Sequence, residues 1–151
     1  MSGPFIGFSE NAVHNKRVII PAAFKRKFTE ESQHTVVITV GPLDSIALYP
    51  LDTWNATLAR LEEGDEDEQL FRTRLIDCAV AEAELEGPGR IRIPERQLQE
   101  AGIKDTVVVK GEMHYITLWN PESYYKKYSK DMQDSRRDYD THRYQKKKVQ
   151  P

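Results

Sequence analysis

The chain repeats itself. Arg17-x-x-x-Pro21 returns as Arg90-x-x-x-Pro94, seventy-three residues later. Val36-Val37-Ile38 returns as Val107-Val108-Val109. Leu48-Tyr49, followed by Pro50 and Trp54, returns as Leu118-Trp119, followed by Asn120 and Tyr124. Each half reads strand, turn, strand, short helix, strand, turn, strand, helix. Four strands of roughly four to eight residues are too few for each half to build its own core. The halves must therefore pair. This predicts an α+β, mainly β fold: a pseudo-two-fold barrel of interleaved hairpins with flanking helices. The expected boundaries are 7–52 for the first repeat, 53–78 for a helical linker and 79–122 for the second repeat. Residues 123–151 are expected to form a C-terminal helix and a disordered tail.

Local patterning supplies the elements. Residues 5–13 read as a first strand in which Phe8 and Ala12 keep parity and Glu10 breaks it. His14-Asn15-Lys16 is a polar turn, and Asn tolerates the left-handed conformation that hairpins require. Residues 17–20 form a β-branched strand that stops at Pro21, before a short basic helix over 22–28. Strands follow at 35–40 and 45–49. Leu51, Trp54, Leu58 and Leu61 then recur at helical spacing. A second helix, about 67–77, places Phe71, Leu75 and Cys78 on one face. Residues 79–86 alternate, with alanines and Leu85 on one side and glutamates on the other. Gly87-Pro88-Gly89 fits a type II turn centred on Pro88 and Gly89. Arg90 and Arg92 share the strand face beyond it. A helix over 95–101 ends at Gly102, a hairpin spans 106–119, and a last helix opens at Asn120-Pro121-Glu122. The chain is expected to fray from about residue 133.

Charge and composition exclude several classes. No apolar run approaches the ~20 residues that span a bilayer, and the first residues lack a signal-peptide pattern. The single cysteine, Cys78, excludes an internal disulfide framework and points to a reducing, cytoplasmic setting. Net charge is −2, which disfavours nucleic acid as a whole-chain property. Its distribution matters more. Residues 1–30 carry five Lys/Arg against two Glu, and residues 126–148 carry nine against four Asp. His14, His34, His114 and His142 lack metal-ligand spacing. No nucleophile–base pair or phosphate-cradling loop is visible, so neither a catalytic residue nor a cofactor or small-molecule substrate is expected.

The two turn-strand units are the candidate site. An arginine just past a tight turn has a short, rigid base. A β-ribbon can enter the major groove, where arginine pairs bidentately with guanine. Arg90 and Arg17 are the leading base-reading candidates; Lys16 and Arg92 suit phosphate contacts. Asn15 and His14 complete the first loop. Gly89 shapes the second loop, and Glu86, four residues before Arg90, is placed to orient it. Each has a plainer reading. Arginines after turns usually make surface ion pairs, His14 is an ordinary turn residue, and Cys78 and the Trp54 and Tyr124 stripes are core. The acidic run 62–68 is a solvated loop. Tyr128, Arg136-Arg137 and Lys146-Lys147-Lys148 belong to a solvated tail.

Gly89-Arg90-Ile91-Arg92-Ile93-Pro94, Ala101-Gly102-Ile103 and Leu48-Tyr49-Pro50-Leu51-x-x-Trp54 together resemble the MraZ family, over roughly residues 4–130. The resemblance implies two AbrB-like swapped-hairpin repeats in one barrel of the double-ψ kind. It further implies a cytoplasmic, nucleoid-associated regulator that binds double-stranded DNA as a ring-shaped homo-oligomer. The sites would be repeats in the promoter of the bacterial division and cell-wall gene cluster, with repression as the outcome. The family pattern is Asp-x-x-x-Arg at each repeat's first hairpin. Here Glu86 stands at the acid position before Arg90. Val13 stands there before Arg17, and Lys16 replaces the usual glycine. The other class consistent with this fold is an antitoxin-like protein-interaction module.

Overall fold

The computed structural model describes residues 1–145. Met1–Pro121 forms one compact unit and the chain from Glu122 another. The first unit holds eight strands in the order β5-β3-β4-β8-β7-β1-β2-β6, each neighbouring pair antiparallel. They are β1 (Phe8–His14), β2 (Arg17–Ile19), β3 (Thr35–Val40), β4 (Ile46–Pro50), β5 (Ala81–Glu84), β6 (Arg90–Arg92), β7 (Thr106–Gly111) and β8 (Ile116–Trp119). The sheet curls into a nearly closed barrel whose ends, β5 and β6, touch at the isolated bridge Glu86↔Arg90.

The pairing is that of interleaved repeats. β1 lies on β7 and β5 on β3, so each half's first strand joins the other half's third. The second strands, β2 and β6, pair with each other, as do the fourth strands, β4 and β8. Val18, Ile38, Leu48, Ile91, Val109 and Leu118 fill the barrel. Phe5, Phe24 and Phe28 close one end through tilted ring contacts. β3 is buried on both faces. Val36 and Ile38 face the barrel, while Val37 faces a second cluster with Tyr49, Leu61 and Leu75, under α2 (Leu51–Glu62) and α3 (Glu66–Asp77). That double burial explains the unbroken Val-Val-Ile run.

The helical ends follow their sequence signals. Asp65 caps α3 by accepting from the Glu68 N–H at 2.9 Å. After α1 (Ala22–Lys25) and β6, α4 (Glu95–Glu100) ends with Gly102 at φ +68. There Ile103 N–H reaches the Leu98 carbonyl at 2.9 Å, the closing bond of a Schellman motif.

Four local expectations are corrected. β1 faces the other way: Ser9, Asn11 and Val13 point inward, and Phe8, Glu10 and Ala12 are exposed. Phe71 is 48% exposed, so the inner face of α3 rests on Leu75. The turn before Arg90 closes one residue early. Gly89 N–H donates to the Glu86 carbonyl at 3.0 Å, which centres the turn on Gly87 and Pro88 rather than on Pro88 and Gly89. The last helix, α5 (Pro121–Asp140), runs well past residue 133, with tyrosines 124 and 128 stacked along it at 5.9 Å. Lys146-Lys147-Lys148 lie outside the described residues.

Candidate nucleic-acid interface

The site is built on a short, three-pair ladder of the barrel. β2 and β6 pair antiparallel with Arg17↔Arg92, Val18↔Ile91 and Ile19↔Arg90 in register. Val18 and Ile91 are fully buried. Burying each is worth about 1.5–3 kcal/mol, and a one-residue slip would turn both outward. The same constraint that seats them in the core sets Arg17, Arg90 and Arg92 on the outer face, beside the 40% exposed Ile19.

The two turns lie at opposite ends of this ladder, because β2 and β6 run antiparallel. The three-residue strands separate them by about 7 Å along the strand direction. In the first turn Asn15 and Lys16 are both left-handed, at φ 50 and 63, between the paired residues His14 and Arg17. This is the two-residue hairpin geometry that follows strand twist. It needs no glycine, although Lys16 carries the strain of a positive φ. In the second turn Gly87 and Gly89 take φ +50 and +114, and Glu86 and Arg90 exchange two main-chain bonds of 2.8 Å. The Gly89 carbonyl also accepts from the Ile20 N–H at 2.8 Å, which fastens the second loop to the first repeat.

Side chains cross between repeats. Glu86 Oε2 accepts from Arg17 Nε at 3.0 Å. The expectation that Glu86 orients Arg90 is thereby corrected: its carboxylate orients the arginine of the other repeat, and only its backbone serves Arg90. Arg17 also donates from Nη1 to the Asn15 carbonyl at 3.3 Å. Lys16 Nζ is 3.2 Å from Glu95 Oε2, in the first turn of α4. His14 and Asn15 are exposed at the turn, and Arg90 and Arg92 are exposed on the ladder.

The structure thus brings Arg17, Arg90, Arg92 and Glu86 onto one face and holds Lys16 beside it. Three participants escaped sequence reasoning. Glu95 was legible only as a favourable acid in a helix's first turn. Ile19 lies on the patch because of parity. Asn11 donates from Nδ2 to the Ile19 carbonyl at 3.1 Å and ties β1 to the ladder. Arg136 and Arg137 lie on α5; Arg137 is 3.9 Å from Asp134. Among the described residues no group of His, Cys, Asp and Glu is arranged to hold a metal ion.

Comparison with known proteins gives one family. The family model "MraZ protein, putative antitoxin-like" matches residues 80–147. A "Transcriptional regulator MraZ" from Thermomicrobium roseum is 30% identical, over 80% of this chain and 84% of the relative. One from Chlorobium luteolum is 33% identical, over 78% and 84%. One from Shewanella oneidensis is 30% identical, over 72% and 73%.

Proposed function

Because the chain belongs to the MraZ family, we propose that it is a sequence-specific DNA-binding transcriptional regulator whose reading surface is the β2–β6 ladder with its two turns. The observation that carries this is the register Arg17↔Arg92 and Ile19↔Arg90, which collects three arginines on one exposed face. Arg90 is the base reader, free of the carboxylate that holds Arg17. Arg92 and Lys16 contact phosphates, and His14 and Asn15 line the entry of the first turn.

A three-residue ladder touches few base pairs, so one copy binds weakly. A ring-shaped homo-oligomer that presents many ladders to repeated sites gains by effective concentration. It also offsets the net charge of −2. On this reading the protein is a cytoplasmic, nucleoid-associated repressor of the division and cell-wall gene cluster, acting at repeats in its promoter. The relatives carry the name of a regulator, not of an enzyme.

The test is a fluorescence-anisotropy titration of the full chain at several salt concentrations. It compares duplexes with repeated sites, single sites and scrambled sequence. Arg90→Ala should weaken specific binding by roughly 1–3 kcal/mol and leave scrambled-DNA binding nearly unchanged. Equal affinity for repeated and scrambled DNA in the parent protein would instead favour the antitoxin-like interaction module.

A further inference from the structure

The barrel has a seam. β5 and β6 end the sheet order and meet only at Glu86↔Arg90. Beyond that bridge lies a groove of about 750 Å³, walled by residues 81–86 on one side and by Arg92 and Pro94 on the other. The first repeat is closed at the equivalent place. Asn11 pairs with Val107 as Ala83 pairs with Val36, so Asn11 and Ile19 are the counterparts of Ala83 and Arg92, and the Asn11 amide bridges to the Ile19 carbonyl at 3.1 Å. Ala83 has no side-chain donor to do this, so the second repeat stays open.

We propose that this groove receives a strand: an extended segment of a partner polypeptide that alternates apolar and basic residues and adds to the free edge of β5. Three properties of the groove select that chemistry. The first is main-chain direction. Leu85 N–H donates to the His34 carbonyl at 2.8 Å, and Ala83↔Val36 and Ala81↔Ile38 continue the same phase. Alternation therefore turns the N–H and C=O of Glu82 and Glu84 away from β3, into the groove. On the far wall Ile93 N–H donates to the Lys16 carbonyl at 2.8 Å, so Arg92 likewise presents its main chain to the groove. An unpaired strand edge is a template for another strand.

The second property is shape. Ala81, Ala83 and Leu85 are half-buried and pack against the barrel core. The two alanines leave room beside them for larger inward side chains on an added strand. The third is charge. Glu82 and Glu84 are exposed on the outer face of β5. Outward residues of an adjacent strand stand about 5 Å from them, where lysine or arginine is favoured and acid is repelled. The same acidic row disfavours pairing of two β5 edges from two copies of this chain.

The proposal is independent of DNA binding and is tested without DNA. Capped Val-Lys-Val-Lys-Val and Val-Glu-Val-Glu-Val peptides are titrated into the full-length protein while amide exchange is followed residue by residue. The basic peptide should slow exchange at Glu82 and Glu84 by about tenfold or more, the acidic peptide by much less. Glu82→Lys with Glu84→Lys should reverse the preference. Glu84→Pro, which removes an N–H aimed at the groove and none aimed at β3, should abolish the effect with the fold retained. No slowing by either peptide, or equal slowing by both that the charge swap leaves unchanged, overturns the proposal. So does protection at Glu82 and Glu84 already present without peptide: if it is lost on removal of residues 141–151 the occupant is the chain's own tail, and if it is lost on dilution the occupant is a second copy.

Discussion

The carboxylate of Glu86, in the second repeat, holds the guanidinium of Arg17, in the first, at 3.0 Å. The pair is partly exposed, with side-chain accessibilities of 27% for Arg17 and 53% for Glu86. Its contribution to stability is therefore at most about 1 kcal/mol. Its larger effect is on the patch, where it places a negative charge among three arginines. Glu86→Gln should leave thermal unfolding nearly unchanged and raise affinity for scrambled DNA. The gain should shrink as salt rises, because it is electrostatic. Unchanged scrambled-DNA affinity at low salt would show that Glu86 does not restrain Arg17 in solution.

The two arginines that open the ladder strands should contribute unequally. Arg90 is exposed, whereas Arg17 is held by Glu86 and by the Asn15 carbonyl. Arg17 must exchange those partners for DNA, and the exchange recovers part of what contact gains. Arg90→Ala should cost roughly 1–3 kcal/mol of specific binding, and Arg17→Ala should cost less. The double substitution should be less than additive or more so, but not additive, because Ile19↔Arg90 and Arg17↔Arg92 share one three-residue ladder. A double-mutant cycle by anisotropy measures this directly.

The repeat was legible because its strands are buried on defined faces, so Val36-Val37-Ile38 and Val107-Val108-Val109 must be β-branched at matching places. The facing of β1 was not legible. Its inward positions are Ser9, Asn11 and Val13, while the larger Phe8 is 40% exposed. Hydrophobic parity then points the wrong way, because only pairing with β7 fixes the face. The Arg17–Glu86 and Asn11–Ile19 contacts depend on how strands from one or both repeats lie side by side. Sequence spacing showed that Glu86 precedes Arg90 by four residues; it could not show that β2 lies within reach of the same carboxylate.

An N-terminal clasp was equally invisible. Asp52 accepts from the Ser2 N–H at 2.6 Å, from Ser2 Oγ at 2.8 Å and from Thr29 Oγ1 at 2.8 Å. Burial pushes its carboxyl up, but the bonds from Ser2 and Thr29 outweigh this and hold its pKa below the usual 3.8. A depressed carboxylate pKa stabilises the fold above the unfolded value, and that stability is lost as pH falls through the lower folded value. The clasp should therefore hold at pH 5–8 and weaken progressively below about 3.8. Asp52→Ala leaves three donors without their acceptor and should cost about 1–3 kcal/mol at neutral pH. Asp52→Asn should flatten the acid limb of a stability–pH curve measured by urea unfolding. An acid limb identical to that of the parent would assign the dependence to other carboxylates.

The two glycines of the second turn make different demands. Gly87 sits at φ +50, and a Cβ there would have nothing within 4 Å of it. Asparagine adopts that region readily, so Gly87→Asn should cost well under 1 kcal/mol and preserve DNA binding. Gly89 sits at φ +114, outside the left-handed well that other residues use, and its Cβ would stand 3.2 Å from Lys25 Cδ and 3.5 Å from the Ile20 carbonyl oxygen. The lysine can yield; the backbone angle cannot. Gly89→Ala should cost about 1–3 kcal/mol of stability and break the 2.8 Å bond from Ile20 N–H that fastens the loop. Arg90 is the next residue, so a shift of that peptide re-aims its side chain. Gly89→Ala should therefore lose specific DNA affinity approaching that of Arg90→Ala, at a temperature where the folded population is still complete by circular dichroism. Retained affinity in that variant would show that the aim of Arg90 is set by the β2–β6 ladder alone and not by the turn before it.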